Sequence, residues 1–198
     1  MSGPSARLGR RAGAVAVAVV LALGWGSVAP AEAHDRTITT DVTVTVRQDG
    51  QTRARSALRV APTFAPQVSA VNRAHASARC DACRAVAVSF QVVLANRGPG
   101  DVAADNAAVA INEGCARCEA VAIAYQFVVV SPHRSHLTPA GHQRLARVRL
   151  ELWRLSRSRA PAADVNAQAE ALAAEVADVL TTELRTVPRI DREIRRDH

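Results

Sequence analysis

The segment CDACRAVAVSFQVVLA, residues 80–95, returns as CARCEAVAIAYQFVVV at residues 115–130. Cys80, Cys83, Ala85, Val86, Ala87, Gln91 and Val93 match Cys115, Cys118, Ala120, Val121, Ala122, Gln126 and Val128 at a constant offset of 35, and Phe90 is answered by Tyr125. Agreement at one fixed spacing over so many positions is an internal duplication, so one local structure must form twice and bury equivalent faces. On an extended strand Val86, Val88, Phe90, Val92 and Leu94 share one face, and Ala85, Ala87, Ser89 and Gln91 the other. Valine, isoleucine and aromatic residues at alternate positions favour the strand, with a helix as the alternative because alanine is abundant. One bulky and one small face suit a sheet that packs a core on one side and a close neighbour, such as a sister sheet, on the other.

Ahead of the duplication, TITTDVTVTVR alternates threonine with isoleucine and valine, the pattern of a strand with one polar face. Asp49-Gly50 is the dipeptide of a tight hairpin turn, with QTRARSALRV as the returning strand and Pro62 and Pro66 closing the unit. NRGPGDVAADN is a turn-rich connector between the two copies. After Ser131 the period changes. Thr138-Pro139 is a helix start, Leu145, Val148, Leu152 and Leu155 follow at helical spacing, and a second helix from near Pro161 carries Val165, Leu172, Val176, Val179, Leu180 and Leu184. The first helix is rich in arginine and the second in aspartate and glutamate, which suits an antiparallel pair. The expected fold is therefore α+β: an N-terminal β-hairpin segment (34–66), a duplicated CxxC β-hairpin core (67–132), an antiparallel αα-hairpin (137–187) and a disordered tail (188–198).

Residues 1–33 have the form of a secretory signal, with Arg7, Arg10 and Arg11, an apolar stretch, and Ala31-Glu32-Ala33 as the cleavage site. Export by general secretion, a secreted or envelope-associated location, and a mature chain starting at His34 without a membrane span are expected. Removing three arginines and Glu32 lowers the formal charge from +7 to +5. Aromatic residues make up only 3% of the chain, which argues against a nucleic-acid surface built on stacking. A general affinity for anionic envelope polymers remains compatible with that charge.

The four cysteines carry the most chemistry. In an oxidising compartment an even cysteine count reads as disulfides, either within each CxxC or crossed between the copies, and sequence leaves the connectivity open. The alternative is a zinc site of Cys80, Cys83, Cys115 and Cys118, but Arg84 and Glu119 stand where zinc knuckles favour glycine. Thiol–disulfide exchange is a further alternative, although no βαβ context accompanies the cysteines. His133, His136 and His142 cluster near the junction and His75 precedes the first CxxC, but none has a carboxylate or cysteine interleaved at ligand spacing. His34 could offer an amine and an imidazole to copper as a mature N-terminus. Gln91 and Gln126 are possible ligand contacts, or they hydrogen-bond each other or the backbone. Neither an HExxH helix nor a GxSxG elbow is present.

The segments NRAHASARCDACRAVAVSFQVVLA, NAAVAINEGCARCEAVAIAYQFVVV and LTPAGHQRLARVRLELWRL together resemble a group of exported actinobacterial proteins of unknown function, with doubled CxxC-plus-glutamine units and an LTPxG helix. Similar segments occur in the C-terminal part of proteins classed as peptide zinc metalloproteases, whose protease motif this chain lacks. The resemblance covers roughly residues 70–185 and implies export without implying an activity. The expected function is that of a secreted, non-enzymatic, disulfide-stabilised protein with no cofactor, which binds an envelope or extracellular partner; the rival is a zinc-binding or redox protein acting through the four cysteines.

Overall fold

The structure, a computed structural model, describes residues 35–187. The expected signal at 1–33, His34 and the expected tail at 188–198 lie outside the described residues. Six long strands come first: β1 (Arg36–Val46), β2 (Thr52–Thr63), β3 (Gln67–Ala78), β4 (Arg84–Asn96), β5 (Asp101–Asn112) and β6 (Glu119–Ser131). They alternate between two sheets, β1-β3-β5 and β2-β4-β6, and every neighbouring pair is parallel. The chain therefore winds as a coil of three rungs, each made of one strand in each sheet joined by an arch.

This differs from the expected hairpins. Strands β1 and β2, or β3 and β4, do not pair with each other; each pairs with its counterpart one rung away. Alternation of faces has the same period in either arrangement, so it cannot distinguish them. The offset of the duplication can: at 35 residues it equals one rung, and each repeated residue lies beside its copy, Phe90 against Tyr125 and Gln91 against Gln126. Parallel neighbours need a long connection, and here the connection is the strand in the other sheet. The expected N-terminal hairpin is the first rung, set 32 residues ahead of the second, with Thr40 beside Asn72 and Arg59 beside Gln91.

The arches stack as the strands do. Gly50, Ala82 and Arg117 occupy equivalent places and all have positive φ, at 69, 52 and 57°. Gly50 N–H donates to the Asp81 carbonyl and Ala82 N–H to the Ala116 carbonyl, both at 2.9 Å. The side chains continue the pattern: Asp49 accepts from Asp81 N–H, and Asp81 accepts from Ala116 N–H.

Beyond the coil lie β7 (Arg134–Leu137), α1 (Pro139–Arg157), α2 (Ala162–Thr182) and β8 (Leu184–Val187). Thr138 caps α1, accepting from Gly141 N–H, with Pro139 at the first position. Leu145, Val148, Leu152 and Leu155 are buried as their spacing predicts. Helix α2 stops at Thr182, so Leu184 belongs not to the helix but to β8, which pairs antiparallel with β7. Strands of four residues leave no readable period. The start of α1 meets the end of α2: Arg144 reaches Glu175 and Asp178, and Thr138 Oγ1 donates to Glu183. Gly141 is required there, because a Cβ on it would stand 2.8 Å from Glu183 Cβ. The helix pair covers the outer face of sheet β2-β4-β6, where Leu58, Val86, Val88, Phe90, Val92 and Leu94 join the helix leucines and valines in one core.

Candidate functional site

The cysteines lie at the arches of the second and third rungs. Cys80 pairs with Cys83 and Cys115 with Cys118, with Cα–Cα distances of 5.7 and 5.9 Å, so the local pairing of the two left open by the sequence is the one observed. The first rung places Gln48 and Gln51 at the equivalent positions and closes its arch with a hydrogen bond from Gln51 N–H to the Gln48 carbonyl. Disulfide and hydrogen bond thus do the same work in successive arches. Cys80 and Cys83 are buried with Val46, Ala78 and Ala85.

Arg84 and Glu119, the residues that follow each CxxC, form an ion pair at 3.1 Å. Arg84 also donates to the Ala160 carbonyl, while Glu119 accepts from Ala162 N–H. The two side chains therefore tie the coil to the α1–α2 connection. That is a structural reason for charge at a place where a zinc knuckle would favour glycine.

Gln91 and Gln126 lie between the sheets. Gln91 is fully buried; its two Nε2 hydrogens are shared among the carbonyls of Ile38 and Val71 and Thr40 Oγ1, each 3.0 Å away, and its Oε1 accepts from Gln126 Nε2 at 2.8 Å. Asn72 works from the opposite sheet, with Nδ2 bonded to Asn106 Oδ1 and to the carbonyls of Ser89 and Tyr125 while its Oδ1 accepts from Ser89 Oγ. These side chains form a polar layer that divides the inter-sheet core into two apolar parts, one around Val42, Ala74, Ala76 and Ala87, the other around Ile38, Ala70, Val93 and Ala95. The glutamines are fastenings across the sheets, and the asparagines were a missed half of the same layer. Their sequence signal was the recurrence of asparagine ahead of each CxxC, at a spacing of 34 that is one residue short of the offset of the cysteines and glutamines.

His133 just before β7, His136 on β7 and His142 at the start of α1 are exposed, and His75 is half-buried on the outer face of β3. Among the described residues no group of three or more His, Cys, Asp or Glu side chains is placed to share a metal ion. No described helix is long and apolar enough to cross a membrane.

The first rung carries a basic cleft that the sequence reading did not single out. Arg53, Arg55 and Arg157 line it with Thr43, Thr45 and Thr52, enclosing about 440 Å³, and a second depression lined by Arg47, Gln48, Gln51 and Arg53 adjoins it. None of these four arginines belongs to an ion pair among the described residues. Arg144, by contrast, is held by the Asp178 and then the Glu175 carboxylate, which raise its pKa above the ordinary arginine value. The signal was present in TRARSALR, where arginine recurs at alternate positions on what should have been an inward-facing column. Comparison with protein-family models, with curated proteins and with solved structures finds no match.

Proposed function

We propose that this is an exported, non-enzymatic protein that binds an anionic polymer of the cell envelope through the cleft of its first rung. The observation carrying this reading is the contrast among its arginines: Arg144 and Arg84 are consumed by carboxylates, whereas Arg47, Arg53, Arg55 and Arg157 converge without an anionic partner beside threonine hydroxyls. Guanidinium groups present forked donors suited to phosphate or carboxylate oxygens, and threonine hydroxyls add shorter-range hydrogen bonds. The other chemistry-bearing side chains support a scaffold reading, because the cysteines close arches and the amides join sheets. The resemblance of the repeats to exported proteins agrees with an envelope location.

The test is retention of the purified protein on an immobilised poly(glycerol phosphate) at low and rising salt. Binding should weaken steeply with salt, and the Arg53→Ala/Arg55→Ala/Arg157→Ala variant should lose at least tenfold in affinity with an unchanged circular dichroism spectrum. Equal retention of the variant overturns the reading. The rival zinc role is separated by mass spectrometry after alkylation without reduction: four cysteines that stay unalkylated support disulfides, and four free thiols with one bound zinc favour the zinc site.

A further inference from the structure

The two ends of the coil are finished differently. Strands β1 and β2 form the outer edges at the first rung, and β5 and β6 those at the third. An unpaired edge is a template for another strand, and proteins blunt such edges with inward-pointing charge, proline or bulky filling. The first rung has all three: Arg53, Arg55 and Arg59 stand in register with Ala85, Ala87 and Gln91, Pro62 lies in β2, and Ile38, Val42, Val44 and Val46 fill the interior from β1. The third rung has neither charge nor proline on its inward columns, and its bulky filling is limited to the half-buried Val102 and Val128. Ala104, Ala108 and Ala110 take the places next to Ala70, Ala74 and Ala76, yet they are exposed, while Ala120, Ala122 and Gln126 stand where the first rung has arginine.

The polar layer is also unfinished at this end. In the asparagine column Asn72 donates to Asn106 Oδ1, whereas Asn106 Nδ2 has only the Ala124 carbonyl among the described residues. In the glutamine column Gln126 donates to Gln91 Oε1, and Gln126 Oε1 accepts no hydrogen bond from a described protein group. One spare donor and one spare acceptor make the end self-complementary, as a two-fold interface requires.

We propose that the third rung is a dimerisation surface, on which a second copy of this chain stacks through its own third rung and continues both sheets. The occupant follows from the geometry. A lone extended peptide can extend one edge but not two at once, whereas a second copy brings both edges at the matching separation with its own alanine filling and spare amides. Strands of about 12 residues at about 3.3 Å each, in two sheets about 10 Å apart with their side chains, present an end of roughly 800 Å², close to the share each partner gives to a standard stable interface. The blunted first rung stops a third copy from adding, so the assembly closes as a dimer with its two basic clefts at the far ends. The inference stands whether or not those clefts bind a polymer.

Sedimentation velocity over a concentration series should show a monomer–dimer equilibrium and no larger species. Ala108→Arg combined with Ala122→Arg, which copies the blunting of the first rung, should weaken association at least a hundredfold while retaining the wild-type circular dichroism spectrum. Should that variant fail to fold, hydrogen exchange of the wild-type protein decides: amides of β5 and β6 should gain protection as concentration rises, and those of β1 and β2 should not. A wild-type protein that stays monomeric at high micromolar concentration, one that grows into filaments, or one whose added protection falls outside β5 and β6 overturns the proposal.

Discussion

On its helix side β4 presents Val86, Val88, Phe90, Val92 and Leu94; on its sheet side it presents Ala85, Ala87, Ser89, Gln91, Val93 and Ala95. The first seam is thick and apolar through its centre, with polar contacts only at its margins. Phe90 packs on Tyr125 with ring centroids 5.1 Å apart, and helix leucines and valines fill the remaining space. The second is thin: alanine lets the sheets approach until an Asn72 amide from one reaches the Ser89 and Tyr125 carbonyls of the other. A seam of small residues buries less apolar area per residue, so it depends more on directional bonds that also fix register. The same strand thus gains bulk stability on one face and alignment on the other.

The helix-side seam should be the more sensitive to lost volume. Phe90→Ala removes a fully buried ring from the centre of that core and should cost about 3–5 kcal/mol in urea unfolding, the range for large-to-small changes at aromatic core sites. A cost below about 1 kcal/mol would show that the helices are loosely docked and that the coil carries itself.

How much of this was legible in the sequence follows from what each signal can encode. The two faces of β4 and β6 and the apolar helix stripe were readable because side-chain period reports burial directly. Arch against hairpin was not, because both present the same period; only the constancy of the offset held the answer, and it reads as register once strands are known to pair across rungs. The first rung escaped the repeat pattern because its fixed points had been replaced, with Gln48 and Gln51 for the cysteines and Arg59 for the glutamine, while its arch kept only Asp49-Gly50. The basic cleft assembles Arg157 of α1 with strand residues Arg53 and Arg55, about a hundred positions apart, a distance over which no spacing rule operates.

The inter-sheet seam should be broken by chemistry more than by volume. Gln91→Leu keeps most of the size but leaves one Gln126 N–H without its acceptor and removes the bonds to Ile38, Thr40 and Val71, for an expected loss of about 1–3 kcal/mol. The double variant Gln91→Leu/Gln126→Leu should recover part of that loss, since an apolar pair leaves no stranded donor. A double-mutant cycle read by urea unfolding measures the coupling. A strictly additive pair would mean that the two amides act separately and that the polar layer is not a ladder.

The smallest expected effect lies at the margin of the thick seam, where polar groups fasten the helix pair. Thr138 caps α1 through Gly141 N–H and also bonds Glu183 beyond the end of α2. Thr138→Ala should cost about 1 kcal/mol, and Thr138→Ser should retain most of the stability because the hydroxyl performs both tasks. If the seam is as apolar as its residues indicate, the loss is local: exchange should quicken at the amides of β7, β8 and the first turn of α1 while those of β4 stay protected. Faster exchange throughout β4 would instead mean that the helix pair docks through its polar ends, and the contrast between an apolar and a hydrogen-bonded seam would no longer describe the two sides of this strand.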